Sequence, residues 1–174
     1  NCSFFLRNML FFYLHMILAK CGRAKSQNYI GLQYESGLYV EQNYTKSVYW
    51  FRKAAHKGLA DGQYNLGCYY HEGRGVLKDY NFAFKWFNLA AEQGLREAQL
   101  ILGRYYHCGV SVEQDFKKAI FWYSKAIKQG LHEAEYYLQL AERNWTFPLY
   151  PGWNNERFLH KKPKSRIAKR RKFE

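Results

Sequence analysis

A repeat of 36 residues constrains the fold of this chain more than any other feature of its sequence. Gly31, Gly67 and Gly103 are separated by 36 residues each, and aligning them aligns their surroundings without a gap. The same spacing relates further columns of identical or similar residues: Tyr34, Tyr70 and Tyr106; Val40, Val76 and Val112; Trp50, Trp86 and Trp122; Phe51, Phe87 and Tyr123; Ala54, Ala90 and Ala126; and Gly58, Gly94 and Gly130. Such periodicity predicts an array of one structural unit, stacked on its neighbours.

Each unit is predicted to be a pair of helices, A and B. Ser26, Ile30 and Tyr34 follow one another at i, i+4 and i+8, which places them on one face of helix A. The glycine column beside them removes a side chain and predicts close packing of the partner helix. Helix B is predicted to begin at residues that are good N-caps, because a side-chain oxygen can accept from free backbone N–H groups. These residues are Asn43, Asp79 and Asp115.

The inward face of helix B alternates small and large side chains, as Ser47, Trp50, Phe51 and Ala54 do in the first unit. The glycine after each helix B suits a left-handed C-cap, and the leucine that follows it suits the apolar contact of such a cap. Acidic residues then lie at the start of the next helix A, where the helix dipole favours negative charge. They are Asp61, Glu97 and Glu133.

The combined pattern L-G-x-x-Y…G-x-G-V…D-(Y/F)…A…W-(F/Y)…A-A…G resembles the Sel1-like repeat, a relative of the tetratricopeptide repeat. Residues 62–97 carry it most fully, and 26–61 and 98–133 carry it well. The resemblance implies an all-α fold, a right-handed α/α solenoid of antiparallel helix pairs. It also implies an adaptor or scaffold without catalysis. A cysteine-rich secreted branch has paired cysteines between helices A and B; Cys68 and Cys108 both fall on helix A, so that branch is disfavoured.

The first 25 residues allow two interpretations. The apolar run from Met9 to Ala19 is too short to cross a bilayer as a helix. With Arg7 before it and Cys21 after it, the run could be a secretory or lipoprotein-type signal. The repeat register instead aligns Phe12 with Val48 and Ala19 with Ala55, which makes residues 1–25 helix B of a truncated preceding repeat. The truncated repeat is favoured, and with it a cytoplasmic location over a secreted one.

The other end also follows the register at first. Residues 134–144 are predicted to form a trailing helix A, in which Gln139 and Glu142 replace the glycine and tyrosine of the repeat, as a solvent-facing cap requires. Residues 145–160 form an aromatic, proline-containing segment expected to fold back on that helix. Residues 161–174 are predicted to be a disordered basic tail, which could bind nucleic acid or another anionic surface or simply aid solubility. Its cations are Lys161, Lys162, Lys164, Arg166, Lys169, Arg170, Arg171 and Lys172.

The predicted binding surface is the concave side of the A helices, opposite the column of Ile30. Three columns there are rich in tyrosine and apolar residues, which would form an exposed stripe suited to a protein or peptide ligand. The alternative is that some of these side chains pack against the neighbouring A helix. The predicted partner-binding residues are Tyr29, Leu32, Tyr64, Asn65, Cys68, Leu100, Ile101, Arg104, Tyr136 and Tyr137, with Tyr105 at the groove edge.

The sequence contains no recognisable catalytic constellation. His71 and His107 share a column, with Glu35 and Arg143 in the outer units. Without a second carboxylate at ligand spacing, the two histidines are interpreted as a solvated face and not as a metal site. No Ser or Cys accompanies an evident base, and Gly73-Arg74-Gly75 is explained as a turn between helices, not as a phosphate loop. We therefore expect a monomeric binding protein that is not an enzyme, with no cofactor, metal or small-molecule substrate.

Overall fold

The structure, a computed structural model, describes residues 2–144, with side chains from residue 7 onward. Within this part the chain is all-α, and its helices pack as consecutive antiparallel pairs in an α/α solenoid, as predicted. The helices are α1 (Cys2–Lys20), α2 (Ala24–Ser36), α3 (Tyr44–His56), α4 (Ala60–Glu72), α5 (Tyr80–Glu92), α6 (Arg96–Cys108), α7 (Phe116–Lys128) and α8 (Glu133–Glu142). In each repeat the even-numbered helix is helix A and the odd-numbered helix that follows is helix B.

The predicted N-caps of helix B are confirmed. The side chain of Asn43 accepts from the N–H of Lys46 at 2.9 Å, and that of Asp115 accepts from the N–H of Lys118 at 2.9 Å. Asp79 accepts from the N–H groups of Asn81 and Phe82 at 2.8 and 3.0 Å. Each of these bonds satisfies a donor that helix geometry leaves free, so the start of helix B is fixed locally in every repeat.

The predicted left-handed glycines at the end of helix B are also present. Gly58, Gly94 and Gly130 have φ of +80°, +93° and +79°. In the first of these caps the N–H of Gly58 donates to the carbonyl of Ala55, and the N–H of Leu59 donates to that of Ala54, at 2.9 and 3.2 Å. This pair of bonds is a Schellman motif, and it reverses the chain into the next helix A.

The glycine column on helix A marks the closest approach of the two helices in a repeat. A Cβ added at Gly67 would lie 2.8 Å from the Phe87 ring, and one at Gly103 would lie 2.6 Å from the Tyr123 ring. Any side chain here would displace a ring that is completely buried. The column therefore exists so that the aromatic side chain of helix B can lie directly on the backbone of helix A.

The tryptophan column joins consecutive B helices. Trp50 of α3 packs with Phe12 of α1, and Trp122 of α7 lies against Ala90 and Ala91 of α5. Trp86 of α5 packs against the α3 cluster in the same way. The B helices α1, α3, α5 and α7 therefore form one layer, and the A helices α2, α4, α6 and α8 form the other.

The terminal helices follow the repeat register. In α1, Phe12 and Ala19 are buried at the positions that Val48 and Ala55 occupy in α3. In α8, Ala134, Tyr137 and Ala141 are buried, whereas Gln139 and Glu142 are exposed. Among the described residues, no helix has the length and apolar character needed to cross a membrane. The predicted segments 145–160 and 161–174 lie outside the described residues.

Candidate functional site

The A helices form a layer in which hydrogen bonds join neighbouring repeats. The Asn65 side-chain amide of α4 donates to the Asn28 side-chain oxygen of α2 at 2.9 Å. Between α4 and α6, His71 Nδ1 and the Tyr105 hydroxyl lie 2.7 Å apart. These bonds connect residues about one repeat apart in sequence, so they fix the lateral spacing of the A helices that carry the predicted binding columns.

The prediction of an exposed stripe on this layer is wrong for part of its length. Each A helix packs against the next through the very columns that were expected to face a ligand. Cys68, Ile101 and Tyr105 join the buried cluster around Phe87. Leu100 and Tyr137 join the next cluster, around Tyr123. The alternative, packing between A helices, therefore holds for these five residues; Tyr105 in particular is a core residue and not a groove edge.

The remaining predicted residues keep accessible surface. Tyr29, Leu32, Tyr64, Asn65 and Arg104 are half-buried, and Tyr136 is 61% exposed. The Arg104 guanidinium lies 5.2 Å from the centre of the Tyr137 ring, a cation–π distance that orients the charge on the layer. Burial raises the pKa of the Tyr64 phenol well above its ordinary value, so this group stays neutral. The A layer therefore presents to a ligand a packed surface that carries a few accessible tyrosines, the Asn65 amide and the Arg104 guanidinium.

Comparison with protein families identifies the repeat. The family model of the Sel1 repeat matches residues 24–59, 60–95 and 96–131. The chain belongs to the Sel1 repeat family. The matched units keep the 36-residue period inferred from the sequence but start two residues earlier than the predicted 26–61, 62–97 and 98–133. Sel1 repeat proteins generally mediate protein–protein interaction, and they are typically non-catalytic.

Two solved structures show how similar the fold is. A Sel1 repeat protein from Oxalobacter formigenes is 35% identical with a TM-score of 0.67, covering 68% of this chain and 47% of that one. The protein c5321, a protective antigen of uropathogenic Escherichia coli with an SLR fold, is 41% identical with a TM-score of 0.70. That match covers 73% of this chain and 27% of c5321, so this chain spans less than half the length of either relative. No curated protein matches the chain.

The histidine column of the Sel1 repeats is buried, which corrects its interpretation as a solvated face. His71 is 6% exposed and His107 is fully buried. His107 Nδ1 lies 3.2 Å from the hydroxyl of Tyr123, and His71 Nδ1 lies 2.7 Å from that of Tyr105, so both rings are within hydrogen-bond distance of a buried tyrosine. Desolvation, with Lys78 and Arg104 nearby, lowers the pKa of His71 from 6.5 to about 4. Both histidines thus serve the packing of the repeats, and among the described residues no three His, Cys, Asp or Glu side chains cluster as metal ligands would.

Sequence reasoning missed an ionic cluster at the turns between the Sel1 helices. Arg74 forms an ion pair with Glu72, and its Nη1 lies 3.7 Å from Glu35 Oε1 on the preceding repeat. Its guanidinium lies 5.5 Å from the centre of the Tyr44 ring and 5.1 Å from that of Tyr69. No column predicted this contact, because Glu35 and Glu72 occupy different positions in their repeats. The cluster links two repeats at the same end of the A helices.

The cysteines whose side chains the structure describes form no disulfide bond. Cys21, Cys68 and Cys108 are free thiols, and burial raises the pKa of the Cys68 thiol well above its ordinary range. Cys68 is therefore a packing residue of the second Sel1 repeat. The eight tail cations between Lys161 and Lys172 lie outside the described residues, and an anionic partner for them remains a prediction.

Proposed function

We propose that this chain is a non-enzymatic adaptor or scaffold that holds a protein segment against the A-helix layer of its Sel1 repeats. The observation that carries the proposal is the continuous A layer, fixed across repeats by Asn65–Asn28 and His71–Tyr105. Such a layer presents its side chains without further ordering, which lowers the entropy lost when a partner binds.

The contact residues proposed here are the accessible members of the predicted set. Tyr29, Arg104 and Tyr136 are the residues best suited to a peptide, since Tyr and Arg dominate the binding energy of many interfaces. The Arg104 charge would select a carboxylate on the ligand, and the Asn65 amide would suit a peptide backbone. The five buried members support the floor of this surface and do not contact the ligand.

A pull-down with matched variants tests the proposal. The test variant carries Tyr29→Ser, Arg104→Ser and Tyr136→Ser, each at a side chain with accessible surface. We expect it to lose the proteins that the unchanged chain captures, with each exchange lowering affinity by about 1–2 kcal/mol. Partners identified by mass spectrometry would then be tested as synthetic peptides by calorimetry.

The control variant changes three exposed loop residues away from the A layer, Leu38→Ser, Leu77→Ser and Glu113→Ser. It should capture the same proteins as the unchanged chain. If the test variant also captures them, the A layer is not the binding surface. Tyr105→Ser is unsuited to this purpose, because the loss of a buried ring would unfold the third repeat.

A further inference from the structure

The B helices carry a second surface that the adaptor role does not use. Three columns, at i, i+3 and i+7 of each B helix, are exposed in every helix. The first column lies at the margin next to the A layer, where Lys46, Phe82 and Lys118 each lie beside a tyrosine ring of helix A. We call these twelve residues the B face. They are Leu10, Tyr13 and Ile17 on α1; Lys46, Tyr49 and Lys53 on α3; Phe82, Lys85 and Leu89 on α5; and Lys118, Phe121 and Lys125 on α7.

The B face consists only of large apolar and lysine residues. Seven of its residues are large and apolar, five are lysines, and none is acidic. The seven apolar side chains are between 43 and 72% exposed. Each keeps a large accessible surface, although the Phe82 ring also stacks on Tyr70 of α4 at 5.3 Å. Exposed apolar side chains that lie together mark an interaction site in many proteins.

The B face is laterally continuous because the tryptophan column lies beneath it. Trp50, Trp86 and Trp122 each pack against the preceding B helix, and the Trp86 ring lies 5.3 Å from that of His56 on α3. The apolar and cationic side chains of four helices are therefore brought onto one surface.

Lysines and aromatic rings alternate within the B face. Lys53 Nζ lies 4.5 Å from the centre of the Tyr49 ring, and Lys125 Nζ lies 4.6 Å from that of Phe121. On α5, Lys85 Nζ lies 5.3 Å from the centre of the Phe82 ring. In each pair a flexible cation lies beside an exposed ring, so the ring can enter an apolar layer while the ammonium group extends to the polar boundary.

We propose that the B face docks on the surface of a membrane containing anionic phospholipids. The aromatic and aliphatic side chains enter the interface between headgroups and acyl chains, and the lysines contact the lipid phosphates and carboxylates. Leu10, Ile17 and Leu89 favour a lipid surface over nucleic acid, because aliphatic side chains provide no ring on which a base can stack.

The acidic residues near the B face lie at its margin. Asp115 Oδ2 lies 3.5 Å from Lys118 Nζ and offsets part of that charge. Glu92 accepts from the Asn88 amide at 2.7 Å, at the far end of α5. Neither carboxylate lies among the three columns, so the central lysines Lys53, Lys85 and Lys125 face the membrane without a carboxylate between them.

Vesicle co-sedimentation of the full chain tests the proposal. The probes are phosphatidylcholine vesicles with and without 30% phosphatidylserine, a composition that supplies a negative surface potential of the physiological order, about −30 mV. The charge variant carries Lys53→Glu, Lys85→Glu and Lys125→Glu. The apolar variant carries Tyr49→Ser, Phe82→Ser and Phe121→Ser. The control carries the same charge change at exposed positions outside the B face, Arg23→Glu, Lys25→Glu and Arg143→Glu.

All variants keep residues 161–174, so any attraction of the basic tail to the vesicles is common to them. We expect the unchanged chain to bind only the anionic vesicles. The charge variant should bind them on the order of a thousandfold more weakly, and the apolar variant about tenfold more weakly. The control should stay within about threefold of the unchanged chain, since exposed charges beyond a Debye length of the membrane are screened.

Equal binding by the charge variant and the control would overturn the proposal, because overall charge would then explain the attraction. The proposal also fails if a 30-residue oligothymidine needs the same lysines while no variant affects vesicle binding; the B face would then bind nucleic acid. Circular dichroism checks each fold. Where a glutamate variant unfolds, the glutamine variant replaces it, with a loss of about a hundredfold expected.

Discussion

The two helix layers come from one repeat and present opposite surfaces. The B helices α1, α3, α5 and α7 contain ten Lys and Arg residues and a single acidic residue, Glu92. The A helices α2, α4, α6 and α8 contain three Lys and Arg residues and seven Asp and Glu residues. The A layer joins its repeats through buried polar contacts, whereas the B layer joins them through tryptophan and leaves its outward columns exposed. The 36-residue period therefore does not by itself determine which side chains of a layer are exposed; the packing between neighbouring repeats does.

The largest expected effect compares the inner and outer columns of one B helix. Phe87→Ala removes a fully buried ring from α5 and should lower the free energy of unfolding by about 3–5 kcal/mol. Phe82→Ala, on the B face of the same helix, removes a ring that is 48% exposed and stacks on Tyr70, and should lower the free energy of unfolding by only about 0.5–1.5 kcal/mol. Urea unfolding of both variants measures the difference. Similar losses would mean that the B face is packed and that the contrast between columns is wrong.

A change of pH is expected to weaken the A layer. Free His71 in the unfolded chain has a pKa of 6.5, and burial lowers it to about 4 in the fold. Between these values the unfolded chain binds the extra proton, so the stability present above pH 6.5 is lost as the pH falls toward 4. The expected loss is about 2–3 kcal/mol.

Melting temperatures from pH 7 to pH 4 test this effect, with His71→Gln as the control. The glutamine variant should be less dependent on pH in this range. The carboxyl pKa of Asp115 is lowered by the backbone N–H of Lys118, so protonation of Asp115 also lowers the stability of the fold as the pH falls. This effect is the same in the unchanged chain and in the glutamine variant, and it does not alter the difference between their melting temperatures. Parallel profiles would show that His71 protonation does not destabilise the repeats.

A smaller effect distinguishes the polar contacts of the two layers. Asn65→Ala breaks the bond to Asn28 between two A helices and should lower the free energy of unfolding by about 1 kcal/mol. Asn88→Ala removes a bond of similar length to Glu92 on the exposed side of α5, and should change it by less than about 0.5 kcal/mol. Thermal unfolding compares the two. A larger loss for Asn88 would contradict the cohesive role given to the A layer.

The smallest effect concerns the turn that connects the layers. Ser111 has a φ of +60°, a conformation that side chains disfavour, at the position equivalent to Gly75 in the second repeat, whose φ is +63°. Ser111→Gly should stabilise the chain by about 0.5–1 kcal/mol. The reverse exchange, Gly75→Ser, should destabilise it, because a Cβ there would lie 2.5 Å from the Tyr44 carbonyl carbon. A stabilising Gly75→Ser would refute the equivalence of the two turns.

The sequence predicted the scaffold well because local rules determine it. Asn43, Asp79 and Asp115 cap helices by bonds to residues two or three positions away, and Gly67 meets Phe87 within the same repeat. The candidate site was predicted less well, because contacts between repeats determine it. Nothing in the column of Leu100 and Tyr136 reveals that one is buried and the other exposed. His71 looked solvated because its partner, Tyr105, lies 34 residues further along the chain.

The tryptophan column has a mechanical consequence. Trp50, Trp86 and Trp122 each attach a repeat to the one before it, while the glycine and aromatic columns hold the two helices of a repeat together. Under tension between the two ends, separation at a tryptophan would release one helix pair and leave the others folded, since each repeat contacts only its neighbours. A chain of this design would lengthen in equal steps.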